Sequence, residues 1–143
     1  MAPKLDKVEP YGSLGFRETE ASTERVAIEV PLAGNRNDKG TAFGGSLYSA
    51  MVLAGWRLCE QTAVAMGLTG DIVVKDSRID FLRPADADML AVAVHRQPPS
   101  RTKHGNIAFD VSAASSGADG RQCATMHATF RLLAASRQSA EQQ

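Results

Sequence analysis

Asn35, Asn37 and Asp38 crowd a short polar stretch just ahead of Gly44, Gly45 and Ser46, and the chain then turns apolar towards Trp56. A side-chain amide can hold a water, and a carboxylate can take its proton. The first N–H groups of a helix have no partner inside the helix and carry partial positive charge. Glycine there lets a ligand oxygen come close to the backbone. Phe43-Gly44-Gly45-Ser46 therefore reads as an oxyanion hole in which the Gly45 and Ser46 N–H groups polarise a carbonyl. The competing reading is that the glycines only let the helix pack closely on its neighbours. Ser46 does not fit the nucleophile pattern G-x-S-x-G, because no glycine follows two residues later. An N-capping or first-turn hydroxyl is the better assignment. Asn35, Asn37 and Asp38 are also ordinary turn formers.

These residues need a helix behind them. From Gly45 to about Met66, Leu47, Met51, Ala54 and Leu58 recur at helical spacing, and Tyr48, Val52, Gly55 and Cys59 form a second apolar row beside them. A face that broad has to be wrapped by other structure. Before the helix, Val26, Ile28 and Val30 alternate in a strand stopped by Pro31 and Gly34. After it the period becomes two. "DIVVKDSRIDFLRPA" reads as a strand with a bulge near Asp76-Ser77, "DMLAVAVHRQ" as a second strand, and "QPPSRTKHGN" as an exposed connection. "IAFDVSAASS" and "RQCATMHATFRLLAA" form a hairpin across "GADG". Residues 1–23 are polar and suggest a short helix and a turn. The expectation is an α+β fold, an antiparallel five-stranded sheet wrapped around one long helix. Its uncovered sheet edge calls for a dimer or a dimer of dimers.

The 143 residues fit a single domain, with a core over about 20–135 and a disordered tail at 136–143. Sixteen basic and sixteen acidic side chains cancel, which argues against a dedicated nucleic-acid binder. Cys59 and Cys123 are far apart and lack metal-ligand spacing, so two thiols in a reducing cytoplasm and no metal are expected. The N-terminal stretch has no apolar signal-peptide core, and the apolar run from Ala50 to Trp56 is too short to span a bilayer.

"PLAGNRNDKGTAFGGSLYSAMVLAGW" followed by "IVVKDSRIDFLRPA" resembles the YiiD C-terminal-type family of hotdog-fold thioesterase-like domains, over roughly residues 20–135. "N-x-N-x-K-G-T-x-F-G-G-S-L" and "D-S-x-I-x-F-L-R-P" are its two independent motifs. The resemblance implies a hotdog fold, pairing into dimers, and hydrolysis of an acyl thioester without a cofactor. Set against hotdog thioesterases of the phenylacetate type, Asn37 holds the Asn position of their motif, Gly44 and Gly45 match the glycine pair, and Phe43 replaces a His. Val52 falls where those proteins carry a carboxylate.

The helix-borne base thus has no counterpart, and the resemblance leaves Asp76 at the suspected bulge, or Asp38 in the loop, to act as base. A hydrogen bond stabilising the bulge is the alternative role for Asp76. Asn37 would position water or the thioester. Phe43, Gly44, Tyr48, Met51, Val52 and Ser77 would line the substrate path, with Trp56 helping to set its depth. Arg83, together with Arg101, Lys103 and His104, could meet the phosphates of coenzyme A or of an acyl carrier. His95 and His104 flank the exposed connection and read as solvated. Two functions stay open: a thioesterase, or a module that binds an acyl-CoA or acyl-carrier thioester without cleaving it.

Overall fold

The computed structural model describes residues 4–133, so the tail expected at 136–143 lies outside the described residues. A short α1 (Glu9–Ser13) leads into β1 (Arg17–Ala21) and β2 (Val26–Val30). The long helix α2 (Gly44–Ala65) follows, then β3 (Ile72–Phe81), β4 (Met89–Arg101), β5 (Ile107–Ser116) and β6 (Gln122–Leu132). Among the described residues six strands form one antiparallel sheet in the order β1-β2-β4-β5-β6-β3, so β1 and β3 are its edges.

The sheet has one strand more than the sequence suggests. β1 reads "RETEA" and is almost wholly exposed, so no apolar alternation marks it. β4 also runs further than expected. "QPPSR" continues it through two register shifts, which accommodate Pro98 and Pro99 within the pairing to β5. The real turn is shorter, closing from Thr102 to Asn106 around Gly105 at φ +85°. In β3 the irregularity falls between Val74 and Asp76, so Lys75 is the extra residue.

α2 is 22 residues long, about 33 Å. It buries Leu47, Ala50, Met51, Ala54 and Leu58 against the concave face of the sheet. Gly55 lets the sheet pack closely on the helix, since a Cβ there would stand 3.0 Å from the Phe130 ring and 3.3 Å from Val111, and both side chains would have to give by a few tenths of an ångström. The helix ends on Gly67 at φ +74°, with Leu68 N–H on the Ala63 carbonyl (2.9 Å) and Gly67 N–H on Val64 (3.0 Å). This is the Schellman closure that only glycine adopts without strain. On its other side, Arg57 binds Glu18 (2.7 Å) and Glu60 (2.5 Å), fastening β1 to the helix. No described helix is long and apolar enough to cross a membrane.

Candidate active site

The chain reaches α2 through a loop held at several points. Asn35 is 2% exposed. Its Nδ2 donates to the carbonyls of Leu14 (2.8 Å) and Pro31 (2.9 Å), and its backbone carbonyl accepts Phe43 N–H at 2.7 Å. Ala42 N–H donates to Ala85 O at 2.8 Å, and Arg36 and Ala42 form an isolated bridge. Asn37 closes the turn inside this frame. Its Oδ1 accepts from Lys39 N–H (2.9 Å) and Thr41 N–H (3.1 Å), while Nδ2 donates to Thr41 Oγ1 (2.9 Å). Asn37 therefore holds the loop, while Asn35 is anchored by its side-chain amide to Leu14 and Pro31 and meets the helix N-cap through its backbone carbonyl. In sequence Asn35 shows no more than a turn propensity.

Phe43 is the N-cap of α2, with extended φ and ψ and no side-chain cap hydrogen bond. Helices usually place Ser, Thr, Asp or Asn here to satisfy the first amides. The donor pair differs by one residue from the sequence expectation. Ser46 N–H turns back onto Phe43 O at 3.0 Å, so the first-turn amides without a partner among the described residues are those of Gly44 and Gly45. Ser46 itself is buried in the first turn at 5% exposure. The glycines also make room for two aromatic rings. A Cβ on Gly45 would stand 2.5 Å from Phe43 Cε2, and one on Gly44 would stand 3.0 Å from Phe81 Cε1. Both rings are more than half exposed and lie against the two glycines of the first turn.

Gly44, Tyr48, Val52 and Trp56 follow one another at four-residue spacing on one side of α2, and all are half-buried. This row runs alongside β3. Phe81 lies over Gly44, the Tyr48 hydroxyl hydrogen-bonds to Ser77 Oγ, and Trp56 Nε1 donates to Ile72 O at 3.1 Å. Starting from the two amides, the row thus presents a pair of hydroxyls and then apolar surface. Met51 is not part of it. It is fully buried under the helix and belongs to the core.

Neither carboxylate singled out by the sequence stands in this row. Asp76 pairs with Thr129, whereas Ser77 pairs with the buried Ala128. Strand side chains alternate, so Ser77, Ile79 and Phe81 face the helix, and Asp76, Arg78 and Asp80 lie on the outer surface of the sheet. Asp38 sits on the doorway loop, paired with Lys39 at 3.2 Å and widely exposed. Arg83 follows the Phe81 end of β3, its Nε donating to Gln122 O at 3.1 Å. Arg101 pairs with Ile107, which pairs with Leu132, which pairs with Ile72, so Arg101, Lys103 and His104 sit at the opposite end of the sheet from Arg83.

His95 also differs from expectation. It continues the inward parity of Met89, Ala91 and Ala93, a signal present in the sequence. Its Nε2 bonds to Thr62 Oγ1 at 2.8 Å and its ring stacks on Phe109 with centroids 6.4 Å apart. Burial holds this imidazole below its ordinary value, the Thr23 backbone acting in the opposite sense. A concavity of about 370 Å³ beside it, lined by Thr62, Pro98 and Pro99, lies near the far end of α2. Another of about 440 Å³, lined by Arg25, Val94, Ser112 and His127, opens on the outer face. Neither includes a residue of the doorway. Among the described residues no cluster of His, Cys, Asp and Glu could hold a metal ion.

Residues 12–126 match the family described as "Putative thioesterase (yiiD_Cterm)". The fold is that of solved hotdog proteins. A "putative thioesterase" from Shewanella oneidensis superposes with TM-score 0.79 at 21% identity, covering 92% of each chain. A "putative esterase" from Mycobacterium tuberculosis gives 0.77 at 15% identity, over 90% of this chain and 98% of that one. A thioesterase from Haemophilus influenzae gives 0.72 at 14% identity, over 91% and 86%. At these identities the likeness establishes the fold.

Proposed function

The chain belongs to the family described as "Putative thioesterase (yiiD_Cterm)", and from that membership we propose that it hydrolyses acyl thioesters, of coenzyme A or of an acyl carrier, at the N-terminus of α2. The observation that carries this reading is the pair of amides on Gly44 and Gly45 without a partner among the described residues, at the positive end of a 22-residue helix whose N-cap offers no side chain to satisfy them. A thioester carbonyl oxygen seated on them gains charge as water attacks its carbon, and two fixed donors stabilise that charge. Removing one such donor typically costs about 100- to 1000-fold in turnover. The C–S bond then breaks, and the thiolate leaves and takes up a proton. Asp38, on the doorway's own loop, is the candidate base once its pairing with Lys39 opens, and Asn37 holds the turn that carries it. Arg83, which follows the Phe81 end of β3, is the cation we assign to carrier phosphates.

The edge strand β3 supports a dimer. It is ten residues long, unpaired on one side among the described residues, and leaves Val73, Val74 and Phe81 exposed, with Leu82 exposed just beyond it. A second copy is the occupant we assign to it, and a further pairing of dimers is compatible. Solution molecular mass tests this.

One observation favours a second reading, a module that binds the thioester without cleaving it. The row from Gly44 to Trp56 and the helix-facing side of β3 carry no carboxylate, and Val52 occupies the position where the phenylacetate-type enzymes have one. Free-thiol release from a panel of acyl-CoAs of graded length separates the two. Turnover on any chain length supports the hydrolase. Binding without release on every member replaces it with the binding module.

A further inference from the structure

The Tyr48–Ser77 pair is the one side-chain to side-chain hydrogen bond between the half-buried row of α2 and β3 among the described residues, and it lies one turn along the helix from Gly44. Gly44 and Tyr48 are four residues apart on the same side of the helix, about 6 Å along its axis. Ser77 reaches the pair from β3 because its side chain faces the helix, opposite Ala128. Beyond the pair the row offers only Val52 and Trp56, whose indole N–H is taken by Ile72 O.

The hydrogen-bond inventory of the pair is informative. Two hydroxyls hold two donor hydrogens and several acceptor lone pairs between them. Their mutual bond uses one donor, and no other partner for either hydroxyl is present among the described residues. One O–H therefore remains to be satisfied by solvent or ligand. A plain acyl chain laid along the row would strip water from that hydroxyl and return nothing, which is the costly case for a polar group. An oxygen on the acyl chain close to the carbonyl would satisfy it. The third acyl carbon lies two bonds of about 1.5 Å from the carbonyl carbon. With the carbonyl oxygen on the Gly44 and Gly45 amides, a substituent on that carbon is the first that a chain running along the Gly44–Trp56 row brings towards Tyr48 and Ser77, one turn on from Gly44.

We infer that the Tyr48–Ser77 hydroxyl pair makes this site selective for acyl groups bearing a hydrogen-bonding oxygen near the thioester, 3-hydroxyacyl or 3-oxoacyl thioesters, over unsubstituted chains of equal length. The inference rests on the α2 N-terminus being the acyl-thioester site, as proposed above, and it does not require that the thioester be cleaved. Tyr48 and Ser77 are specificity-determining residues in it. The competing role for the pair is a staple that holds the β3 edge against the helix, which has no bearing on which acyl group binds.

The experiment measures binding and turnover separately. Calorimetry compares 3-hydroxybutanoyl and butanoyl analogues of coenzyme A in which CH2 replaces the thioester sulfur, so that neither can be hydrolysed. The wild-type protein should bind the hydroxylated analogue about 10- to 100-fold more tightly. In Tyr48→Phe, which keeps the ring, and in Ser77→Ala, the ratio should fall to within about 3-fold of unity. Equal affinities in the wild type, or a preference that survives in both variants, overturns the inference. So does failure of both analogues to bind, which also removes the site itself. Thiol release from the parent thioesters is then scored on its own. Selective binding without release sinks the hydrolase reading and leaves the selectivity standing. Release without selectivity does the reverse.

Discussion

Asp76 and Ser77 are consecutive in β3 and face opposite sides of the sheet, Ser77 towards Tyr48 on the helix and Asp76 towards the outer surface beside Thr129. Sequence reasoning offers Asp76 as a base, with Asp38 as second choice and a bulge-stabilising hydrogen bond as the alternative role, and the pleat turns Asp76 to the outer face of its own protomer. Asp76→Ala should therefore keep kcat/KM within about 3-fold and leave the pH profile unchanged, where loss of a true base costs about 100-fold or more. A large loss with a native melting temperature would mean that Asp76 reaches a site from outside its own protomer.

Much of the fold is legible in the sequence because burial imposes it. The rows on α2, the alternation of β2 and β5, and the glycine after the helix all follow from which side chains must leave water. β1 is hidden because an exposed edge strand needs no apolar face. The site is only half legible. Gly44 and Gly45 are visible as a pair, but the donor assignment depends on whether Ser46 N–H turns back on Phe43, a detail of one helical turn. Asn35 and Asn37 have the same residue type and loop, and only their partners show that Asn35 is the one anchored to Leu14 and Pro31. The bulge at Lys75 blurs the face assignment around Asp76, so pattern alone could not decide which way that carboxylate points.

Leu58 tests the central-helix packing. Its side chain is fully buried, at 0% exposure, in the middle of α2. Leu58→Asp puts an unpaired carboxylate there, at a cost of several kcal/mol against a total stability of about 5–15 kcal/mol. The variant should be insoluble or unfolded by circular dichroism. A soluble variant with an unshifted melting temperature would contradict the packing described.

His95 makes stability depend on pH. Burial lowers its affinity for a proton in the folded state relative to the unfolded chain, whose imidazole titrates near 6.5. The unfolded chain therefore binds the proton first. The neutral imidazole is fully compatible with folding above about pH 6.5, and stability declines as pH falls below that value until the folded-state imidazole also titrates. Melting temperatures from pH 7.5 to 5.5 should fall more steeply for the wild type than for His95→Gln. Parallel curves would show that His95 titrates alike in both states.

Gly45 separates two explanations for the glycine pair. An added Cβ would lie 2.5 Å from Phe43 Cε2, and no atom outside that ring is among its nearest neighbours. Phe43 is 58% exposed, so its ring can shift to admit the Cβ, and we expect it to do so over the neighbouring Gly44 and Gly45 amides. Gly45→Ala should therefore lower thioester turnover even though alanine suits a helix better than glycine, by up to about 1 kcal/mol in a helix interior. Phe43→Ala removes the obstructing ring. The two changes should be non-additive in stability by about 0.5–3 kcal/mol, the range for residues in contact. In the double variant, turnover should return to within about 3-fold of Phe43→Ala alone, because the amides remain and nothing covers them. If the double variant regains its melting temperature but not its turnover, the bare Cα of Gly45 is itself part of the ligand contact, and the ring is incidental to it.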